Sequence, residues 1–207
     1  MTMARPDVLT TAATEWGPVG VWAGAAATFL AAAVALAATA GTLERRRRPR
    51  PRLSFEPHQP WLRTVQTAEG REVLWVRLAV DNDGATPARG CTGRLLSVVA
   101  AGEQRADIDP LQLRWAGMPR TLSFQPLDIR PGQREYLNVC FRRPETSTWR
   151  IDTFDSDDFD PGFSTDLPED TQYELTIALF ADNAEAITLA LCIAPGGRLT
   201  AVPSGGV

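Results

Sequence analysis

The sequence predicts a mainly β protein: an antiparallel β-sandwich preceded by one N-terminal transmembrane α-helix. Three observations predict it. Residues 16–43 carry no charge, and eleven of these 28 residues are Ala. Six Arg follow within residues 45–52. From residue 53 onward the apolar residues change from helical spacing to strict alternation, the period of a half-buried strand.

Charge divides the chain in the same place. Residues 1–52 hold seven Arg and three acids, net +4; residues 53–207 hold 14 Arg and 22 acids, net -8. A basic N-terminal segment is thus joined to an acidic domain. All 21 basic residues are Arg, which excludes a P-loop lysine, a Schiff-base lysine and a Ser-Lys dyad. The only His is His58, which excludes a multi-histidine metal site.

The first element is the apolar stretch, read as a transmembrane helix over residues 16–43 after a short tail, 1–15. Helical rise of ~1.5 Å per residue makes residues 19–43 about 37 Å long, enough for a ~30 Å hydrocarbon core. Trp16 and Trp22 suit an interfacial belt. Ala38-Thr39-Ala40 resembles a signal-peptide cleavage site. However, the region before the apolar stretch lacks a positive cluster, and cleavage would leave the Arg run at the new terminus. A retained span is therefore expected. Gly20-x-x-x-Gly24 lets two helices approach closely, so a homodimer through Gly20 and Gly24 is one reading. The other is a coincidence of Ala-rich composition.

Next comes an Arg/Pro-rich linker, residues 44–52, expected to be stiff and extended. Arg45, Arg46, Arg47, Arg48, Arg50 and Arg52 face one Arg, Arg5, on the other side of the span. The positive-inside rule then places the N-terminus outside and the C-terminal domain in the cytoplasm. The run has no interleaved aromatics and adjoins an acidic domain. Its expected partner is anionic lipid headgroups, and no nucleic acid.

The domain is expected over residues 53–194. Alternation is clearest at 72–81 (Leu74, Val76, Leu78, Val80), 136–141 (Leu137, Val139, Phe141), 173–180 (Tyr173, Leu175, Ile177, Leu179) and 186–193 (Ile187, Leu189, Leu191, Ile193). Shorter strands are expected at 53–56, 92–99, 121–124 and 149–153. Asn82-Asp83-Gly84, Arg130-Pro131-Gly132 and Asp182-Asn183 supply the turns, the last of them a hairpin. Seven or eight strands with such turns make a sandwich. Residues 195–207, rich in Gly and Pro, read as a flexible tail.

Val80-Asp81-Asn82-Asp83-Gly84, with Pro87-Ala88 and Cys91, resembles the strand-and-turn of bacterial and archaeal Ig-like modules, including the CARDB-type adhesion-related group. Leu113-Arg114-Trp115-Ala116-Gly117 is similar to a segment of uncharacterised single-span bacterial membrane proteins carrying such a domain. The resemblance implies an Ig-like sandwich with a binding or scaffolding role. It carries over no catalytic residue. The Asp-rich segment 152–170 departs from a minimal module.

Candidate chemistry is sparse. Cys91, Cys140 and Cys192 form no C-x-x-C pair. An odd number suits a reducing compartment, and Cys140 and Cys192 fall opposite the apolar stripes of their strands. Asp155, Asp157, Asp158 and Asp160 form an acidic loop. They miss the D-x-D-x-D-G spacing of a Ca²⁺ loop because Phe159 takes the third ligand's place. A solvated acidic loop, facing a basic partner, is expected. The alternative is an exported adhesion-type domain binding Ca²⁺ there, and a carboxylate hydrolase is a third reading. His58, between Pro57 and Gln59-Pro60, reads as a surface turn. The expectation is a plasma-membrane protein presenting its domain as a protein-interaction or accessory module, with no enzymatic activity, cofactor or metal.

Overall fold

The computed structural model of the chain describes residues 17–66, 70–105, 110–119, 121–153 and 165–203. Two compact units emerge, Met1–Arg45 and Arg46–Val207.

In the first unit a single helix begins, α1, Gly17–Arg47. Its segment Trp22–Thr39 is long and apolar enough to cross a membrane, and none of it is buried against protein. Trp22, Phe29, Leu30, Val34 and Leu36 are all exposed. The hydroxyls in this stretch are satisfied within the helix. Thr28 Oγ1 donates to Gly24 O at 2.8 Å and Thr39 Oγ1 to Ala35 O at 2.9 Å. A helix that meets its own polar needs is what a hydrocarbon environment demands.

The helix runs further than expected. Residues 44–47 belong to α1, so the linker of 44–52 shrinks to residues 48–50 before the first strand. Arg is a good helix former, and nothing stops the helix until Arg48, which precedes Pro49 and is pushed out of the helical region.

The second unit is the sandwich. Its first sheet is ordered β1 (Pro51–Ser54), β3 (Glu72–Asn82), β9 (Arg134–Arg142), β10 (Thr148–Ile151), β11 (Asp166–Pro168). To these β2 (Leu62–Gln66) adds on β3, and β7 (Arg114–Trp115) on β9. The second sheet is ordered β14 (Leu199–Pro203), β13 (Ala184–Ile193), β12 (Tyr173–Ala181), β4 (Ala88–Ala100), β5 (Glu103–Gln104). Here β6 (Leu111–Gln112) and β8 (Leu127–Ile129) pair with β4. Every pairing is antiparallel. The chain is a mainly β sandwich with one N-terminal apolar helix.

The four long expected strands are present, as are the hairpin β12–β13 and the turns at Asn82 and Arg130. The core lies between the sheets: Val76, Leu78, Val80 and Leu137 from one face Leu95, Leu175, Ile177, Leu179 and Leu191 from the other. Each such side chain contributes about 1.5–3 kcal/mol by leaving water. The sheets approach closely at Gly93, where a Cβ would collide with Leu137 Cδ1. Residues 111–115 pass from the second sheet, through β6, to the first, through β7, burying Leu111, Leu113 and Trp115. The Leu113–Gly117 segment noted in the sequence therefore closes one side of the sandwich.

Three expectations are corrected. Residues 121–124 form a turn rather than a strand; Leu122 N donates to Pro119 O and Gln125 N to Leu122 O. Residues 195–207 are not simply a tail, because Leu199–Pro203 is β14, paired along β13. Gly196 and Gly197, at φ of 79° and 82°, make the turn that returns the chain. Finally, Cys140 does not lie opposite the apolar stripe. A β-bulge at Val139 shifts the register between Val76 and Arg77 of β3, so Leu137, Val139 and Cys140 are all buried. Phe141 is thereby displaced to the outer face.

Candidate functional site

Within the second unit the entering strap, residues 48–50, is held by Asn82, which is fully buried. Its Oδ1 accepts from Arg50 N and from Gly84 N, each at 3.0 Å. Its Nδ2 donates to Thr86 O at 2.8 Å and Ile129 O at 2.9 Å. That is the full donor and acceptor capacity of one amide. Its backbone takes part too: Gly132 N donates to Asn82 O at 2.9 Å. Asp83 N donates to Arg50 O at 3.0 Å, closing the strap over the turn. Gly84 lies so near that strap that a Cβ would stand 2.5 Å from both Arg48 O and Arg50 N. Residues 48–50 are therefore part of the domain, not a free tether.

Within the Arg run, Arg48 and Arg50 are exposed. Arg52 is 4.0 Å from Asp83, with both side chains largely in water. A pair that exposed adds little stability. Arg45, Arg46 and Arg47 form the last residues of α1. Gly20 and Gly24 lie in the same helix, one turn apart. At this end of the sandwich the β12–β13 turn is clasped to β4. Arg89 N donates to Asn183 Oδ1 at 2.9 Å and Asn183 Nδ2 to Pro87 O at 3.0 Å.

The acidic loop residues Asp155, Asp157, Asp158 and Asp160 lie outside the described residues. His58 is exposed in a turn, as expected. Its Nδ1 lies 2.6 Å from Gln59 O and its Nε2 2.6 Å from Glu56 Oε2. These two interactions, the Gln59 carbonyl first, raise its pKa above the ordinary 6.5. Cys91 and Cys140 are buried and Cys192 half-buried, all as free thiols. Burial pushes the Cys91 thiol up to about 11, with Asp128 adding to it. It pushes Cys140 higher still, and raises Cys192. Such thiols are poor nucleophiles.

A polar cluster occupies the first sheet beside β7. Arg77, Asn138 and Asp152 are buried. Arg77 Nε donates to Asn138 Oδ1 at 3.1 Å, and Arg114 pairs with Asp152 at 3.2 Å. Burial lowers the Arg77 pKa, and Arg63 lowers it further. Trp61 lies over this region, with the Arg134 guanidinium 5.6 Å from its ring and Arg77 N donating to its carbonyl.

The remaining feature was not legible as a motif. Register sets Arg63 of β2 beside Trp75 of β3, Trp75 beside Phe141 of β9, Phe141 beside Arg150 of β10, and Arg150 beside Asp166 of β11. The row crosses five strands on the outer face. The Trp75 and Phe141 rings are 4.9 Å apart. At one end Phe141, Arg143, Thr146, Thr148, Arg150 and Asp166 line a cavity of about 160 Å³. The only sequence signal was Trp75 itself, an aromatic on the outward phase of a strand. Phe141 gave none, because the bulge that turns it outward cannot be read from alternation.

No known protein family, curated protein or solved structure matches this chain.

Proposed function

We propose that the chain is a single-pass plasma-membrane protein. In this reading α1 crosses the bilayer, the N-terminus lies outside, and the cytoplasmic sandwich serves as an Ig-like protein-interaction or accessory module. The observation that carries the reading is an apolar helix without protein cover, followed at once by the Arg run. The span Trp22–Thr39 buries nothing against protein, so hydrocarbon is the partner that satisfies it. The Arg run then supplies orientation and attraction to anionic headgroups, each Arg near the surface contributing about 1 kcal/mol. Residues 48–50 follow α1 directly, and Arg50 is bonded to Asn82 within the second unit.

Replacing Arg45, Arg46, Arg47 and Arg48 with neutral residues tests the orientation. With reporters at each terminus, a fraction of molecules is expected to invert. A uniform, unchanged orientation would remove the Arg run from the account.

A further inference from the structure

The outer face of the first sheet offers a second surface, on strands whose other face is the core. Trp75 and Phe141 pack as a tilted pair, 4.9 Å apart and 40° between planes, and neither is buried. Three Arg residues adjoin them. Arg63 is beside Trp75 in register. Arg143 lies 6.0 Å from the Phe141 centroid. Arg150 is beside Phe141 and 3.4 Å from Asp166 Oδ1. Among the described residues neither Arg63 nor Arg143 has a carboxylate partner, although the domain from residue 53 carries a net charge of -8. Cations without a carboxylate partner among the described residues, beside half-buried aromatics on a domain with acids in excess, suit an anion from outside.

We infer that this face docks an acidic segment of a partner protein. One carboxylate enters the cavity between Arg143 and Arg150, and a neighbouring apolar side chain lies on Trp75 and Phe141. The inference rests on the reading of the domain as an interaction module and names the chemistry of its partner. Three features choose a carboxylate. The cavity, about 160 Å³, is the size of one side chain rather than of a nucleotide. Its wall holds two guanidiniums and one carboxylate, Asp166, so its formal charge is +1 and matches a monoanion. A phosphate dianion would meet Asp166 unfavourably. A nucleic-acid backbone would meet the domain's net negative charge as well. Arginine forks suit carboxylates, and aromatic faces supply binding area at small entropic cost.

The test uses the full chain in nanodiscs of zwitterionic phosphatidylcholine and a fluorescent eight-residue peptide alternating glutamate with phenylalanine and leucine. Anisotropy should report binding below about 1 mM. Added salt should weaken it. Arg143→Glu should weaken it about tenfold or more and Arg143→Lys less, since lysine keeps the charge but not the fork. Arg94→Glu, an exposed change on β4 of the other sheet, should leave it unchanged. Unaltered melting would show that each variant folds. No binding, equal binding of a lysine-for-glutamate peptide, or equal loss with Arg94→Glu would each overturn the inference. So would tighter, Arg143-dependent binding of a single-stranded oligonucleotide. Neutralising Asp155, Asp157, Asp158 and Asp160 to Asn should leave the affinity unchanged; a marked gain would assign the cavity to the chain's own acids. None of these results bears on topology, so failure here leaves the membrane reading standing or falling separately.

Discussion

Asn82 is one residue on which three segments depend, and removing its amide leaves several groups buried without partners. Arg50 N, Gly84 N, Thr86 O and Ile129 O all lose a bond. A net hydrogen bond is worth ~1 kcal/mol and an orphaned buried group costs ~1–3 kcal/mol. Asn82→Ala should therefore destabilise the sandwich by about 3 kcal/mol, read from urea unfolding. Asn82→Asp should also destabilise it, because a carboxylate cannot donate to the two carbonyls. A loss below ~1 kcal/mol would show that water replaces the amide in holding residues 48–50. The thiols make a second residue-scale test. Cys91 and Cys140 are both fully buried, and burial raises both. Between the ordinary value of 9.0 and about 11 the native Cys91 keeps a proton that the unfolded chain releases. Stability from this group is thus present below pH 9 and falls as pH rises through that window. At pH 8 an alkylating reagent should modify Cys192 first and the other two only on unfolding. Rapid labelling of Cys140 would contradict the inward turn caused by the bulge.

Among elements, the long strands were legible because each repeats an apolar residue at every second position over at least six residues. Turn residues bound them, as at Asn82-Asp83-Gly84 and Arg130-Pro131-Gly132. Short strands such as β2, β6, β8 and β11 were not legible, since two to five residues are too few to show a period. The end of β9 misled because alternation counts residues, and the bulge at Val139 adds one without changing the count. The Arg/aromatic row was illegible for a related reason. Arg63 and Asp166 are far apart in sequence, and only strand register brings the row together. β14 was hidden by composition: Pro195, Gly196 and Gly197 read as a loose end but form a turn, with Gly196 N donating to Glu169 O at 3.0 Å. Leu199 then buries beside the core. Ending the chain after Ala194 should remove this strand, expose the edge of β13 and lower the melting temperature by several degrees. An unchanged melting temperature would return residues 195–207 to the status of a tail.

For the whole molecule, the central claim joins a span, an orientation and a presented domain. The helix is apolar enough to cross a membrane and the sandwich has its own complete core. In the proposed reading, the asymmetry of six Arg against one sets the side. The most direct measurement is protease accessibility of residues 53–207 in intact cells, with a C-terminal epitope as readout. The account predicts full protection until the membrane is permeabilised, and digestion of exposed loops afterwards. Digestion of the domain in intact cells would contradict it: the sandwich would then be exported, and Ca²⁺ binding at Asp155–Asp160 would become the reading to test.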